Sequence, residues 1–269
     1  MHPMLNIAIQ AIRKAGDFVV KQYEFLDRNS IRSNYINDLI YKINEKSYNI
    51  IATIIRKFYP LHTIVTTWHD HNVNDNNIYC KEGIRWIIGS IDSDINFVKQ
   101  FPFFALSISV FFKEHIEIGV IYDPIHNELF SACRGKGAQL NGYRIRVGTA
   151  KNLNGAIIVM SCVYEKQHVV VNFLNKFSNK YIYFRYTGAT VLDLAYVAVG
   201  RVDGCIAIFL KNINNNKLAS GVLIIRESGG LIVDFTGADN YLLFGNIIAG
   251  NTKIIRTILP IVQSSDIDD

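Results

Sequence analysis

The sequence has no apolar run long enough to span a bilayer. The longest nearly unbroken one, Phe101 to Phe112, contains Pro102, Ser107 and Ser109 and falls well short of the roughly 20 residues that a crossing helix needs. A soluble protein is expected. No export is expected either: the first apolar segment carries Arg13, Lys14 and Asp17, charges that the apolar stretch of an export signal does not carry, so the expected location is cytoplasmic. Cysteine is sparse. Cys80, Cys133, Cys162 and Cys205 lie far apart with no Cys-x-x-Cys pair, which signals neither a zinc site nor a disulfide framework and fits reduced thiols. There is no internal repeat and no Gly/Ser- or Pro-rich linker, so one compact unit is expected.

What is present is a large apolar complement. Hydrophobic residues make up 49% of the chain and charged ones 19%, which excludes a disordered or fibrous protein and allows a sizeable core. The net charge of +5 favours an acidic partner, nucleic acid or protein, without establishing either. Leu5, Ile9, Ile12, Val19 and Tyr23 recur at helical spacing, and Leu39, Ile43, Ile50, Ile51, Ile54 and Phe58 form a second apolar face, with Asn44, Glu45, Lys46, Arg56 and Lys57 assigned to the opposite one. Pro60 ends that pattern. Strands are expected at 63–66, 85–88, 105–112, 116–122 and 128–132, as an antiparallel meander. After about Lys151 short strands at 156–161, 204–210 and 231–234 alternate with helices at 169–177, 189–199, 218–228 and 252–262, the pattern of an α/β lobe. The expected organisation is an N-terminal α+β lobe, 1–150, with two helices on its sheet, and a C-terminal α/β lobe, 151–269.

Several stretches, in order along the whole chain, resemble the inositol monophosphatase family and, within it, the SuhB branch. They are Met1–Ala8, Val120–Pro124, Asn127–Phe130, Gly135–Gly142, Thr187–Gly188, Leu192–Val197, Gly200–Gly204, Arg226–Gly230, Asp234–Gly237, Gly245–Asn246 and Ala249–Asn251. The resemblance implies a layered α-β-α-β-α sandwich, as in fructose-1,6-bisphosphatase, and a magnesium-dependent phosphatase site between the lobes. In active relatives, carboxylates hold two or three Mg2+ ions that polarise the phosphate and activate a water.

At the positions to which this resemblance assigns those carboxylates, most are replaced. The paired acids fall on Thr67 and Trp68, and the hallmark Asp-Pro-Leu-Asp-Gly-Thr falls on Gly89, Ser90, Ile91, Asp92, Ser93 and Asp94. Only Asp92 and the carbonyl of Ile91 persist as ligand positions. The Asp of the family's Trp-Asp motif falls on Lys217, beside an Asn-rich stretch, and an acid of an upstream helix falls on Asn44. Where Gly-Thr opens a phosphate-binding helix in relatives, Ser93-Asp94 stands here, and Asp94 is expected to cap that helix itself. No catalytic residue, no intact metal site and no cofactor are therefore expected, and the vestigial pocket comprises Thr67, Gly89, Ile91, Asp92, Ser93, Asp94 and Lys217.

Other chemistry can be drawn but matches no motif. His69, Asp70, His71 and Asp75 could join Asp92 and Asp94 in a transition-metal site, yet their spacing fits no ligand pattern. Cys162 and His126 fit plain core or turn residues, and a Ser/His/Asp triad lacks its nucleophile-elbow glycines. SuhB-like proteins are also known as Nus factors, and the resemblance implies a role in rRNA transcription antitermination and pre-rRNA folding, with NusA, RNA polymerase and rRNA as partners, in a homodimer. Lys113, Arg134, Lys136, Arg144, Arg146 and Lys151 cluster in sequence, which suits RNA or polymerase contact and a solvated basic face equally. The alternative is a magnesium-dependent inositol-1-monophosphatase with weak or altered activity. A decaying protein with no remaining role is a third reading.

Overall fold

The computed structural model describes residues 2–26, 33–67, 83–162, 167–209, 216–240 and 246–263. Trp68, His69, Asp70, His71, Asp75 and Cys80 lie outside them. Two helices, α1 (Pro3–Glu24) and α2 (Ser33–Phe58), precede a seven-stranded sheet built from β1 (Thr63–Thr66), β2 (Ile84–Ile88), β3 (Leu106–Phe112), β4 (His115–Asp123), β5 (Glu128–Cys133), β6 (Ala138–Leu140) and β7 (Tyr143–Arg144), in chain order. The short helix α3 (Asp94–Val98) lies between β2 and β3. The sheet is mixed, a correction to the expected antiparallel meander: β1 runs parallel to β2, and only the later pairs are antiparallel.

A five-stranded sheet follows, in the order β11-β12-β10-β8-β9, from β8 (Ala156–Cys162), β9 (Ile182–Tyr186), β10 (Gly204–Ile208), β11 (Leu231–Val233) and β12 (Ile247–Gly250). Its helices are α4 (Gln167–Lys176), α5 (Thr190–Ala198), α6 (Ala219–Glu227), entered by a 3-10 turn at Asn216–Leu218, and α7 (Thr252–Gln263). Strands β9 and β12 were not expected.

Alternation along the strands sets the layers, since successive side chains point to opposite faces. In β4, Ile118, Val120 and Tyr122 join the core under α1 and α2, while Ile121 points into the core around α5 and α6. In β10, Cys205 and Ala207 face that same central core, and Ile206 and Ile208 face the outer core with α4 and α7. The order is thus α1/α2, first sheet, α5/α6, second sheet, α4/α7. Close approach demands small residues at the layer junctions. A Cβ at Gly119 of β4 would lie 2.7 Å from the backbone oxygen of Ser220 in α6, and one at Gly221 would lie 2.7 Å from Leu194 of α5.

On α2 the buried face is Ile40, Ile43, Asn44, Ser47, Ile51, Ala52 and Ile55, whereas Phe58 is half exposed. Asn44, assigned from the sequence to the polar face, is therefore an inward residue, and its partners below give the reason. At the far end of α6, the Glu227 carboxylate accepts the amides of Gly135 and Gly137 at 2.8 and 2.7 Å, fastening the β5–β6 turn to the helix. The basic residues of the 113–151 region are exposed, and one of them, Arg134, pairs with Glu117 at 3.3 Å. No described helix is long and apolar enough to cross a membrane.

Candidate functional site

The residues assigned to the vestigial pocket converge where the ends of β1 and β2 meet α3, the start of α5 and the 3-10 turn. Thr67, just past β1, accepts the amide of Ser90 on its hydroxyl at 3.2 Å. Gly89 donates its amide to the Ser107 carbonyl at 2.9 Å, and a Cβ at this position would land on the Ser107 hydroxyl. Ser107 is itself buried, so the space a carboxylate at 89 would enter is filled from β3.

Ile91 and Asp94 are held by α2. The Asn44 side-chain Oδ1 accepts the Ile91 amide at 3.0 Å, and the same side chain hydrogen-bonds the Asp94 carboxyl. That pairing explains why Asn44 is buried, and it corrects the expected cap. The N-cap position of α3 is Ser93, which makes no side-chain cap bond, and Asp94 stands inside the first turn with Asn44 as partner. Ser93 adopts φ 76°, a left-handed backbone that glycine takes freely and other L-residues take at a cost of about 1–2 kcal/mol. Its hydroxyl is buried with no hydrogen-bond partner among the described residues.

Asp92 crosses to the other wall. Its amide donates to the Ala105 carbonyl at 2.8 Å, and its Oδ2 accepts the amides of Val191 and Leu192, in the first turn of α5, at 2.7 and 3.2 Å. Burial pushes its pKa up to about 6, against the charge of Lys217 and the two amides, which lower it. Asp94 is also raised to about 6, by burial first and then by the charge of Asp92, with Asn44 and Lys217 opposing. Lys217 thus acts on both carboxyls by its charge, and its ammonium lies 5.4 Å from the centre of the Phe209 ring.

Sequence reasoning missed Asp193. It is fully buried in α5, and both its oxygens accept from the Thr187 hydroxyl, at 2.8 and 2.7 Å. Burial raises its pKa to about 8, Thr187 lowers it, and the Asp92 charge raises it further. A signal was present: a lone carboxylate between Leu192 and Leu194 in a helix otherwise made of apolar residues and one threonine. Nearby, Ser161 and Thr190 share a buried hydroxyl–hydroxyl bond of 2.5 Å.

Set against the divalent metals that the family resemblance implies, this donor set does not fit. Gly89 and Thr67 offer no carboxylate, Lys217 brings a positive charge, and the amide-bound Asp92 has one oxygen already engaged. Among the described residues no group of three or more His, Cys, Asp or Glu side chains is arranged to hold a metal ion. His69, Asp70, His71 and Asp75, which could be drawn as a metal site but fit no ligand pattern, lie outside the described residues. His126 sits in the β4–β5 turn, its Nδ1 2.8 Å from the Asp123 carboxylate, and no disulfide joins Cys133, Cys162 or Cys205.

Comparison with known proteins gives the arrangement its lineage. A sequence profile of the inositol monophosphatase family matches residues 1–266. The chain is 43% identical to the Nus factor SuhB of Escherichia coli K12 over 262 residues, 96% of this chain and 95% of that protein. It is 39% identical to the Nus factor SuhB of Pasteurella multocida over 267 residues, 98% and 97% of the two chains. Among solved structures, the extragenic suppressor protein SuhB of Bartonella henselae superposes with a TM-score of 0.82 at 29% identity, covering 97% of this chain and all of that one. The Thermotoga maritima IMPase gives 0.81 at 26% identity, covering 98% of each. With a profile match over nearly its whole length and the five-layer sandwich of those structures, the chain belongs to the inositol monophosphatase family.

Proposed function

We propose that this protein is a SuhB-type Nus factor acting in rRNA transcription antitermination, pre-rRNA folding and ribosome biogenesis, without inositol monophosphatase activity. One observation carries the loss of catalysis: at the family's ligand positions stand Thr67, Gly89 and Lys217, and the acid that remains, Asp92, is bonded to the amides of α5. Phosphoryl transfer of this type depends on bound cations to neutralise the phosphate and activate water, and too few anionic oxygens remain to hold them. The Nus factor role is supported by the likeness to the enteric and Pasteurella proteins of that name, which extends over the whole chain. Such a role works through surfaces, with NusA and RNA polymerase as partners, rRNA as a further one, a homodimer as the working form and the cytoplasm as the place.

Two measurements test this reading. Purified protein with Mg2+ and inositol 1-phosphate is expected to release no phosphate above background, and immobilised protein is expected to capture NusA or RNA polymerase at low salt. Magnesium-dependent turnover would favour the alternative, a weak or altered phosphatase, for which the presence of two carboxyls, Asp92 and Asp94, in one pocket speaks. Failure to capture either partner would remove the antitermination role.

A further inference from the structure

We infer that Asp92 serves as a latch between the two sheets, supplying from the first sheet's rim the N-terminal cap that α5 lacks. The first four amides of any helix have no partner within it. In α5 the N-cap position is Ala189, whose side chain makes no cap bond. The carboxylate of Asp92, about one hundred residues away in sequence, takes two of these amides, those of Val191 and Leu192. Its own backbone is fixed by the hydrogen bond that its amide donates to the Ala105 carbonyl, which pairs the two residues in an antiparallel bridge next to β3. The residues on either side are fixed too, Ile91 by its amide and Asp94 by its carboxyl, both on Asn44. An anion at a helix N-terminus is favoured by the helix dipole, and bonds from N–H to an ionised oxygen are the stronger kind. Lys217 offsets part of the cost of burying that charge. The carboxylate assigned to a metal by family resemblance here joins the rim of the first sheet to α5 through the protein's own donors, while its neighbours Ile91 and Asp94 tie the same rim to α2.

This inference rests on the proposed metal-free reading, and the experiment keeps the two apart. Backbone amide exchange of the full-length protein is followed by NMR. Val191 and Leu192 are expected to be protected, with the Val191 amide proton shifted downfield by its carboxylate partner. In Asp92→Ala their protection is expected to fall at least about tenfold relative to the amides of Ile118 and Val120 in β4, and the Val191 proton to lose its downfield position. In Asp92→Asn, which keeps a neutral acceptor, a fall of about threefold is expected. Unchanged protection and an unmoved Val191 proton in a folded variant would overturn the latch. If Asp92→Ala does not fold, Asp92→Asn carries the same test alone. Phosphate release in the assay above would sink the non-catalytic reading and leave the amide result standing.

Discussion

Two left-handed corners face each other across the pocket, Gly188 at φ 79° and Ser93 at φ 76°. A Cβ on Gly188 would sit 3.4 Å from the Ser93 hydroxyl. On the α5 wall the residue suits its backbone, and the polar groups beside it, Thr187 and Asp193, satisfy each other. On the β2–α3 wall a serine holds a glycine's conformation, its hydroxyl lacks a described partner, and Gly89 has its side-chain space taken by Ser107. The strain thus lies on the wall that family resemblance assigns to metal and phosphate, while the wall that also packs between the sheets keeps a consistent backbone. A residue that serves both packing and ligand is constrained twice, and one that served only the ligand is free to change once the ligand goes.

The largest expected effect that sharpens this contrast is electrostatic and comes from the α5 wall. Asp193, with a pKa near 8 in the folded protein, keeps a proton that the unfolded chain releases near pH 4. Its contribution to stability is therefore greatest below about pH 4 and declines as pH rises to about 8. Asp92 and Asp94, near 6, add to the decline below pH 6. Between pH 6 and 8 the Asp193 share is on the order of 2–3 kcal/mol. Urea midpoints across this range should fall for the native protein and stay nearly flat for Asp193→Asn; parallel curves would show that the carboxyl is not held protonated.

The next effect belongs to the opposite wall. Gly89→Ala is expected to lower stability by about 2 kcal/mol through overlap with Ser107, and Ser107→Ala in the same chain should restore most of it. Strict additivity in this double-mutant cycle would mean that the two side chains do not compete. Gly188→Ala should cost about 1–2 kcal/mol for its backbone alone. Ser93→Gly, the mirror change, should gain about 1 kcal/mol, visible as a rise of about 2–4 °C in Tm. A loss on Ser93→Gly would mean that the serine hydroxyl has a role the pocket geometry does not reveal.

Much of the fold was legible because its layers follow from periodicity. The alternation of Ile118, Val120 and Tyr122 and the helical spacing of Leu5, Ile12 and Val19 place their buried faces directly. Strand β9 escaped because Tyr183, Arg185 and Tyr186 leave it half polar at an exposed edge, and β1 was paired in the wrong direction because strand direction is set by connections, not by composition. At the pocket, family likeness located the residues but not their partners. Asn44 looked like a surface residue of α2 because it is polar, and only the Ile91 amide and the Asp94 carboxyl explain its burial. The partner of Asp92 lies in another layer, at a separation no local pattern encodes.

Glu227 gives α6 a mechanical meaning. The helix is fastened at its C-terminal end to the β5–β6 turn through the amides of Gly135 and Gly137, and its first turn follows directly on Lys217. Nine helical residues make a stiff rod of about 14 Å, which sets the spacing between that turn and the helix start beside Lys217, whose charge acts on the two pocket acids.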